Sequence, residues 1–401
     1  MRAYDAIVLG AGPAGSSTAL RLAQHGWSVA IVEKSSFPRA KVCGEFMSAS
    51  NAAVFADLGI ADEMASLAGP PIRRVGLFAR EDVLAAPMPR FQDAGQGFGR
   101  ALGRDKLDTL LLDRALATGA ECWQPWTAAG LRREGAMQIC TLARKDERLE
   151  LAAPVLVAAH GSWDAGALPT QSRRKARGSD LLAFKAHFLD ATLDADLMPL
   201  IVFPGGYGGM VTSDVGRVSL TLCIRRDMLQ AVRGSMPGTP AAEAVVAHVA
   251  RSCRGVREAL RGAPLETGWL AVGPIAPGLR APYADGIFRA GNIAGEAHPI
   301  VAEGLSMALQ SGWMLGGLLA AHGRSAEGLE AVGATYARDW TRTFAPRIRA
   351  AAAFAHPSMR PAATGLLLPV MRRFPEILTW GARLSGKISR PLAPAMETHA
   401  S

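Results

Sequence analysis

The chain opens on short apolar runs set between glycine-rich turns. Tyr4–Leu9 is a run of strand formers that enters Gly10-Ala11-Gly12-Pro13-Ala14-Gly15. Ser16 to His25 has the composition of a helix closed by Gly26, and Trp27–Val32 is a second apolar run ending at Glu33. Similar runs recur at Cys122–Trp126, Pro154–Ala159 and Gly286–Ala290. Runs of this length between turn residues predict buried strands, and their wide spacing predicts one parallel sheet built from distant segments. Leu107 to Thr118 sets Leu107, Leu110, Leu111 and Ala115 on one side of a helix that Gly119 ends. The intervening segments Ile72–Phe78, Leu181–Leu189, Met198–Phe203, Gly209–Thr212 and Arg217–Ile224 alternate or run apolar between turn residues. They predict antiparallel strands of a second layer, inserted between parts of the first. Leu305 to Ala321 is the longest apolar stretch, but Gln310, Ser311 and several glycines interrupt it, so it reads as a buried helix rather than a membrane span. Beyond about Pro346, the prolines at 357, 361, 369 and 375 predict helices that are short or kinked.

Composition narrows the class. With 401 residues, 49% hydrophobic and 20% charged, the chain is globular and long enough for two or three domains. Its formal charge of +9 admits nucleic acid, anionic membrane or acidic ligands as partners. No basic stripe is interleaved with aromatics, and the cluster Arg173-Arg174-Lys175-Ala176-Arg177 reads as a solvated loop, so nucleic acid is not expected. The cysteines 43, 122, 140, 223 and 253 are odd in number and form no C-x-x-C pair. A zinc site, any other metal site or a disulfide framework is therefore not expected, and a reducing, cytoplasmic compartment is. No leader is expected either, since the first strand begins at about Tyr4.

The order strand, G-x-G-x-x-G, helix, strand, acid is the dinucleotide-binding fingerprint in its required context. Gly10 permits the tight turn, Gly12 lets the backbone approach a pyrophosphate, and Gly15 lets helix and strand pack closely. The helix N-terminus at Pro13 and Ala14 offers unpaired N–H groups and a positive dipole end to phosphates. Glu33 is placed to accept hydrogen bonds from ribose hydroxyls, with Lys34 beside it.

Three further motifs make the chain resemble the flavin-dependent superfamily of p-hydroxybenzoate-type aromatic hydroxylases, flavin halogenases and geranylgeranyl reductases, and its reductase-like members most of all. The resemblance covers roughly residues 1–345. Phe37-Pro38-Arg39-Ala40-Lys41-Val42-Cys43-Gly44-Glu45 is similar to the R-x-K-x-C-G-[DE] loop of the reductases. That likeness implies that Arg39 and Cys43 lie at the cofactor, that Cys43 also faces the substrate cavity, and that Cys43 and Glu45 are candidate catalytic residues, although a free cysteine is also often just a small buried residue. Val157-Ala158-Ala159-His160-Gly161-Ser162-Trp163 occupies the place of an A-D-G-x-x-S segment, with His160 where the superfamily has aspartate. Arg289-Ala290-Gly291-Asn292-Ile293-Ala294-Gly295-Glu296-Ala297-His298-Pro299, continued by Glu303-Gly304-Leu305-Ser306, resembles the G-D-A-A-G-x-x-x-P-x-x-G-x-G signature. There Asn292 replaces an aspartate that binds a ribityl hydroxyl. The resemblance implies that Gly291, Asn292, Pro299, Gly304, Leu305 and Ser306 surround the flavin, and that the helix after Gly304 aims its N-terminus at it. Arg104, before Lys106-Leu107-Asp108, resembles an arginine that lies near the FAD pyrophosphate or ribityl chain.

These likenesses imply FAD as cofactor, with NAD(P)H as electron donor; His160 counts against ordinary handling of the latter. The implied fold is α/β: a glutathione-reductase-like Rossmann domain at residues 1–71, 100–175 and 281–345, an inserted antiparallel β-sheet substrate domain at 72–99 and 176–280, and a helical C-terminal region at 346–401. His298 is a candidate proton donor or base, or else a hydrogen-bonded loop residue. Phe203-Pro204-Gly205-Gly206-Tyr207-Gly208-Gly209 resembles a sheet-edge segment of the reductases, but Pro199 and Ile201 stand where aromatics normally precede it. The halogenase motif W-x-W-x-I-P is not found. The sequence thus favours hydroxylation of an apolar ring such as a phenol, quinol or polyketide through a flavin hydroperoxide. Reduction of a carbon–carbon double bond is the alternative, and a flavin-binding protein without turnover the third reading. The tail, Leu366 to Phe374 and Ile377 to Trp380, mixes apolar residues with cations in a way that suits a peripheral membrane contact, or else packing over the first domain.

Overall fold

The computed structural model describes residues 1–91, 97–163, 166–171, 175–323 and 325–387. Arg173, Arg174 and the tail beyond 387 lie outside them.

The chain builds two large sheets. The first orders its strands Tyr283–Ala284, Ile287–Arg289, Val155–Ala158, Ala6–Leu9, Val29–Val32, Glu121–Trp123. Its four inner pairings are parallel, and only the edge hairpin at 283–289 is antiparallel. Ala6–Leu9 and Val29–Val32 are buried at every position, which is why they read as continuous apolar runs. Helix Pro13–Gln24 packs between Gly304–His322 and Arg104–Ala117. The closest approach is at Gly312, where a Cβ would stand 2.2 Å from the Ala14 carbonyl oxygen. Gly304–His322 is largely buried along its length, and no helix of the described residues is long and apolar enough to cross a membrane.

The second sheet has seven strands: Leu270–Ile275, Leu181–Phe188, Val218–Arg225, Gly206–Thr212, Leu197–Phe203, Arg74–Ala79, Asp82–Pro87. It departs from the antiparallel expectation at one seam, where Leu197–Phe203 runs parallel to Arg74–Ala79. Strand alternation divides its faces. Phe184, Ala186, Leu220, Leu222 and Ile224 pack against helices on the outside, while Ala183, Lys185, His187, Thr221 and Cys223 belong to the inner face. A four-stranded sheet, Arg2–Ala3 with Thr127–Glu134, Met137–Arg144 and Glu147–Ala153, was not expected from the sequence.

The C-terminal region also differs from expectation. Ala326–Ser358 is a single helix of 33 residues that carries Pro346 and Pro357 inside it, so a boundary at 345/346 falls within one continuous element. Tyr336, Trp340, Phe344 and Ile348 are buried at helical spacing, and this packed stripe holds the helix through the donor that Pro346 lacks. Two shorter helices follow, Pro361–Arg373 and Glu376–Leu384.

Candidate functional site

The glycine turn has the geometry its residues require. Gly10 has φ +103°, a conformation open to glycine. A Cβ on Gly15 would stand 1.9 Å from the Gly10 carbonyl oxygen. Gly12 is extended (φ −75°, ψ −179°), so its role is space rather than backbone freedom. A Cβ there would point at Arg104 Nη2 (3.8 Å) and Arg39 Nη2 (3.9 Å). Two guanidinium groups therefore converge on the turn in front of the helix N-terminus, where charge and dipole together would stabilise a pyrophosphate.

Each arginine is fixed from behind. Arg104 Nε and Nη2 both donate to buried Asp108 at 2.6 Å, and Arg39 Nη1 lies 3.4 Å from the same carboxylate. Burial alone pulls the Arg104 guanidinium down, but Asp108 outweighs it, with Cys43 adding to the upward shift. Glu33 ends its strand as expected. Its carboxylate accepts from Ala11 N (3.0 Å) and Ser35 N (2.9 Å).

The loop carrying Cys43 and Glu45 joins the two sheets. Cys43 O accepts from Thr221 Oγ1 (3.1 Å), and Cys43 Sγ accepts from Glu45 N (3.4 Å). Glu45 has φ +64°, unusual for a residue with a side chain, and is 1% exposed. Its carboxylate meets Lys185 Nζ and His187 Nε2 (2.9 Å) on the inner face of the second sheet, and accepts from Arg104 N (3.3 Å). Burial pushes this carboxyl up, but His187 and Lys185 override it and hold it well below the usual range. Glu45 is thus an ionic clamp across the sheets.

At residues 291–305, Gly291, Asn292, Pro299, Gly304 and Leu305 line the same cavity as the glycine turn. Ser306 instead turns inward, accepting from Ser48 N (3.1 Å). Asn292 Nδ2 donates to Glu296 Oε1 (3.2 Å), and Glu296 also accepts from Ser162 Oγ (2.8 Å) and Trp163 Nε1 (3.0 Å). Burial raises the Glu296 carboxyl despite these donors and Arg280. His160 Nε2 lies 2.9 Å from Thr170 Oγ1. His298 is not among the cavity-lining residues. Its Nδ1 lies 3.1 Å from Tyr207 Oη, and its ring meets that of His356 edge to face at 5.3 Å between centroids. Burial and then His356 lower its imidazole to about 4.

The cavity encloses about 900 Å³ and runs from Gly10, Gly12, Glu33 and Lys34, past Arg39, Cys43 and Arg104, to Leu367, Leu368 and Leu378 of the tail helices. A turn that Cβ atoms would close, two arginines facing it, an acid at the strand end and a helix N-terminus beside Gly304 fit a flavin dinucleotide.

The profile of the FAD binding domain family matches residues 3–339. The chain belongs to that family. Its cofactor is FAD. Among curated relatives it is 27% identical over 329 residues to a digeranylgeranylglycerophospholipid reductase 2 of Methanopyrus kandleri, covering 78% of this chain and 76% of that one. It is 27% identical over 165 residues to a 1H-pyrrole-2-carbonyl-[peptidyl-carrier protein] brominase of Pseudoalteromonas luteoviolacea, covering 40% of this chain. The chain spans 38% of that brominase's length and 34% of that of a menaquinone reductase of Mycobacterium tuberculosis. Among solved structures, the flavin-dependent brominase Bmp2 shares the fold at a TM-score of 0.74 and 18% identity, over 96% of this chain and 94% of that one.

Lys185, His187, Asp108 and Tyr207 were not read from the sequence as residues of the site. A lysine and a histidine two apart on an otherwise apolar strand, Leu181–Phe188, are the signal that was there to find.

Proposed function

We propose that this flavoprotein reduces carbon–carbon double bonds in a long apolar substrate of the isoprenoid-lipid or prenylquinone class. The observation that carries this reading is the extent of the cavity. Beyond the cofactor residues it continues past Cys43 between apolar walls to Leu367, Met371 and Ile377. A phenol-sized ring needs no such channel; an extended chain does. At the channel's outer end Leu366, Phe374, Trp380 and Leu384 are 78, 52, 61 and 64% exposed, beside the exposed cations Arg360, Arg373 and Arg383. Such a surface suits contact with an anionic membrane from which the substrate enters.

Bound FAD supplies the hydride when reduced. The chain's residues do the rest: Arg39 and Arg104 hold phosphates, the Cys43 loop borders the alkene, and the second sheet excludes water. A relative that covers 78% of the chain is named as a digeranylgeranylglycerophospholipid reductase, which supports the reading.

The test supplies FAD-loaded protein with geranylgeraniol or a menaquinone, under anaerobic conditions with dithionite and separately with NADPH. Products that gain two hydrogens per reduced double bond are expected. Unchanged alkenes, together with oxygen-dependent hydroxylation of a phenolic probe, overturn the reading in favour of a monooxygenase.

A further inference from the structure

We propose that Tyr207 is the acid that gives the substrate its proton, and that His298 and His356 connect it to solvent. The inference rests on the reductase reading above. Tyr207 lies in strand Gly206–Thr212 on the inner face of the second sheet, fully buried, and lines the cavity. Its Oη is 3.1 Å from His298 Nδ1, and the His298 ring meets His356 at 5.3 Å between centroids. His356 is exposed on helix Ala326–Ser358. Three proton-carrying groups therefore lead from the cavity to the surface, the last step completed by one water bridging the two imidazoles.

The charge states suit a relay. Burial, with Cys223 and Glu296 facing it, holds Tyr207 far above the usual phenol range, so it stays protonated. His298, lowered by burial and by His356, is neutral at pH 7. A neutral imidazole carries one N–H. With that hydrogen on Nδ1, His298 donates to Tyr207 Oη and leaves the phenol O–H free for the substrate. As one alkene carbon receives hydride from the reduced flavin, the Tyr207 O–H bond breaks and a C–H bond forms at the neighbouring carbon. The Nδ1 proton moves to Oη, and Nε2 takes one from His356 or adjacent water. The sum is one hydride and one proton added across the double bond. Exchange with water then restores the tautomer.

The first arm of the test needs no turnover. Histidine-selective 15N NMR of the FAD-loaded full chain, assigned with His298→Gln, reads the His298 tautomer from pH 5.5 to 8. Neutral His298 with Nδ1–H is expected, with its Nδ1 shift moved by Tyr207→Phe. An Nε2–H tautomer that Tyr207→Phe leaves unchanged overturns the relay, whatever the substrate proves to be. The second arm measures geranylgeraniol reduction at equal flavin content. Tyr207→Phe is expected to lower kcat about 100-fold or more at unchanged KM. His356→Ala is expected to lose rate that free imidazole restores, a response that a merely structural histidine does not give. Parental kcat in Tyr207→Phe overturns the proposal. A parent protein that reduces no alkene refutes the reductase reading, while the first arm still decides the relay.

Discussion

Acidification offers a direct measure of the buried histidine cluster. An unfolded histidine titrates near about 6.5, whereas His298 in the folded chain is lowered to about 4. As pH falls through the unfolded value, the unfolded chain takes up a proton that the folded chain refuses, so stability falls until the folded value is reached. The full gap corresponds to about 3.4 kcal/mol, and about 2 kcal/mol of it is lost between pH 7 and pH 5. Other groups titrate in this window too, so the informative quantity is a difference of differences. Urea unfolding would be followed at pH 7 and pH 5 for the parent and for His298→Gln, with FAD in matched excess so that ligand linkage is equal. Glutamine keeps a donor and an acceptor near Tyr207 but does not titrate. The parent is expected to lose about 2 kcal/mol more than the variant over this interval. Equal losses would refute the reasoning, because His298 would then protonate as readily in the fold as in the open chain.

Gly12→Val is expected to purify folded but without FAD, since its extended backbone tolerates a side chain while the added carbons occupy the approach between Arg39 and Arg104; flavin absorbance at full stoichiometry would contradict this. Lys185→Met leaves Glu45 buried with only His187 and the Arg104 amide as partners and is expected to cost about 3 kcal/mol in urea unfolding; a loss under about 1 kcal/mol would mean that the clamp is not needed. The intact chain is expected to float with liposomes rich in anionic lipid and a truncation after Ala350 to stay behind; equal behaviour would assign the exposed tail helices to another contact.

How far the sequence could be read depended on how each signal was encoded. The parallel sheet was legible because strands buried on both faces must be apolar throughout, as Ala6–Leu9 and Val155–Ala158 are. The four-stranded sheet was not, because Thr127–Glu134 is half exposed and ends in Arg132, Arg133 and Glu134, leaving no clear alternation. The long helix was misjudged from its prolines, since a local rule about Pro346 cannot see the packing of Trp340, Phe344 and Ile348. The glycine turn was legible because the positive φ of Gly10 and the close approach at Gly15 both demand glycine. Site residues contributed by pairing across the sheets were not: Glu45 was read as a catalytic candidate, and only the fold brings Lys185 and His187 to it from 140 and 142 residues away.

The same logic accounts for the departure at Asn292. In this chain the carboxylate Glu296 occupies the neighbouring buried space, and Asn292 Nδ2 donates to it at 3.2 Å. An aspartate at 292 would set a second negative charge against a carboxyl that burial has already raised, and two such charges in low dielectric repel strongly. Asparagine removes the repulsion and adds a donor, while its carbonyl oxygen remains free to accept from a hydroxyl. Glu296 in turn accepts from Ser162 and Trp163, the residues that follow His160, so both altered motifs meet at one carboxylate. Asn292 and the residues that follow His160 thus share one hydrogen-bond network, while the His160 ring itself bonds Gly161 O and Thr170 Oγ1. A site that had merely decayed would leave such groups unpaired; here each has a partner, which is the arrangement expected of a loop still held in shape around a cofactor.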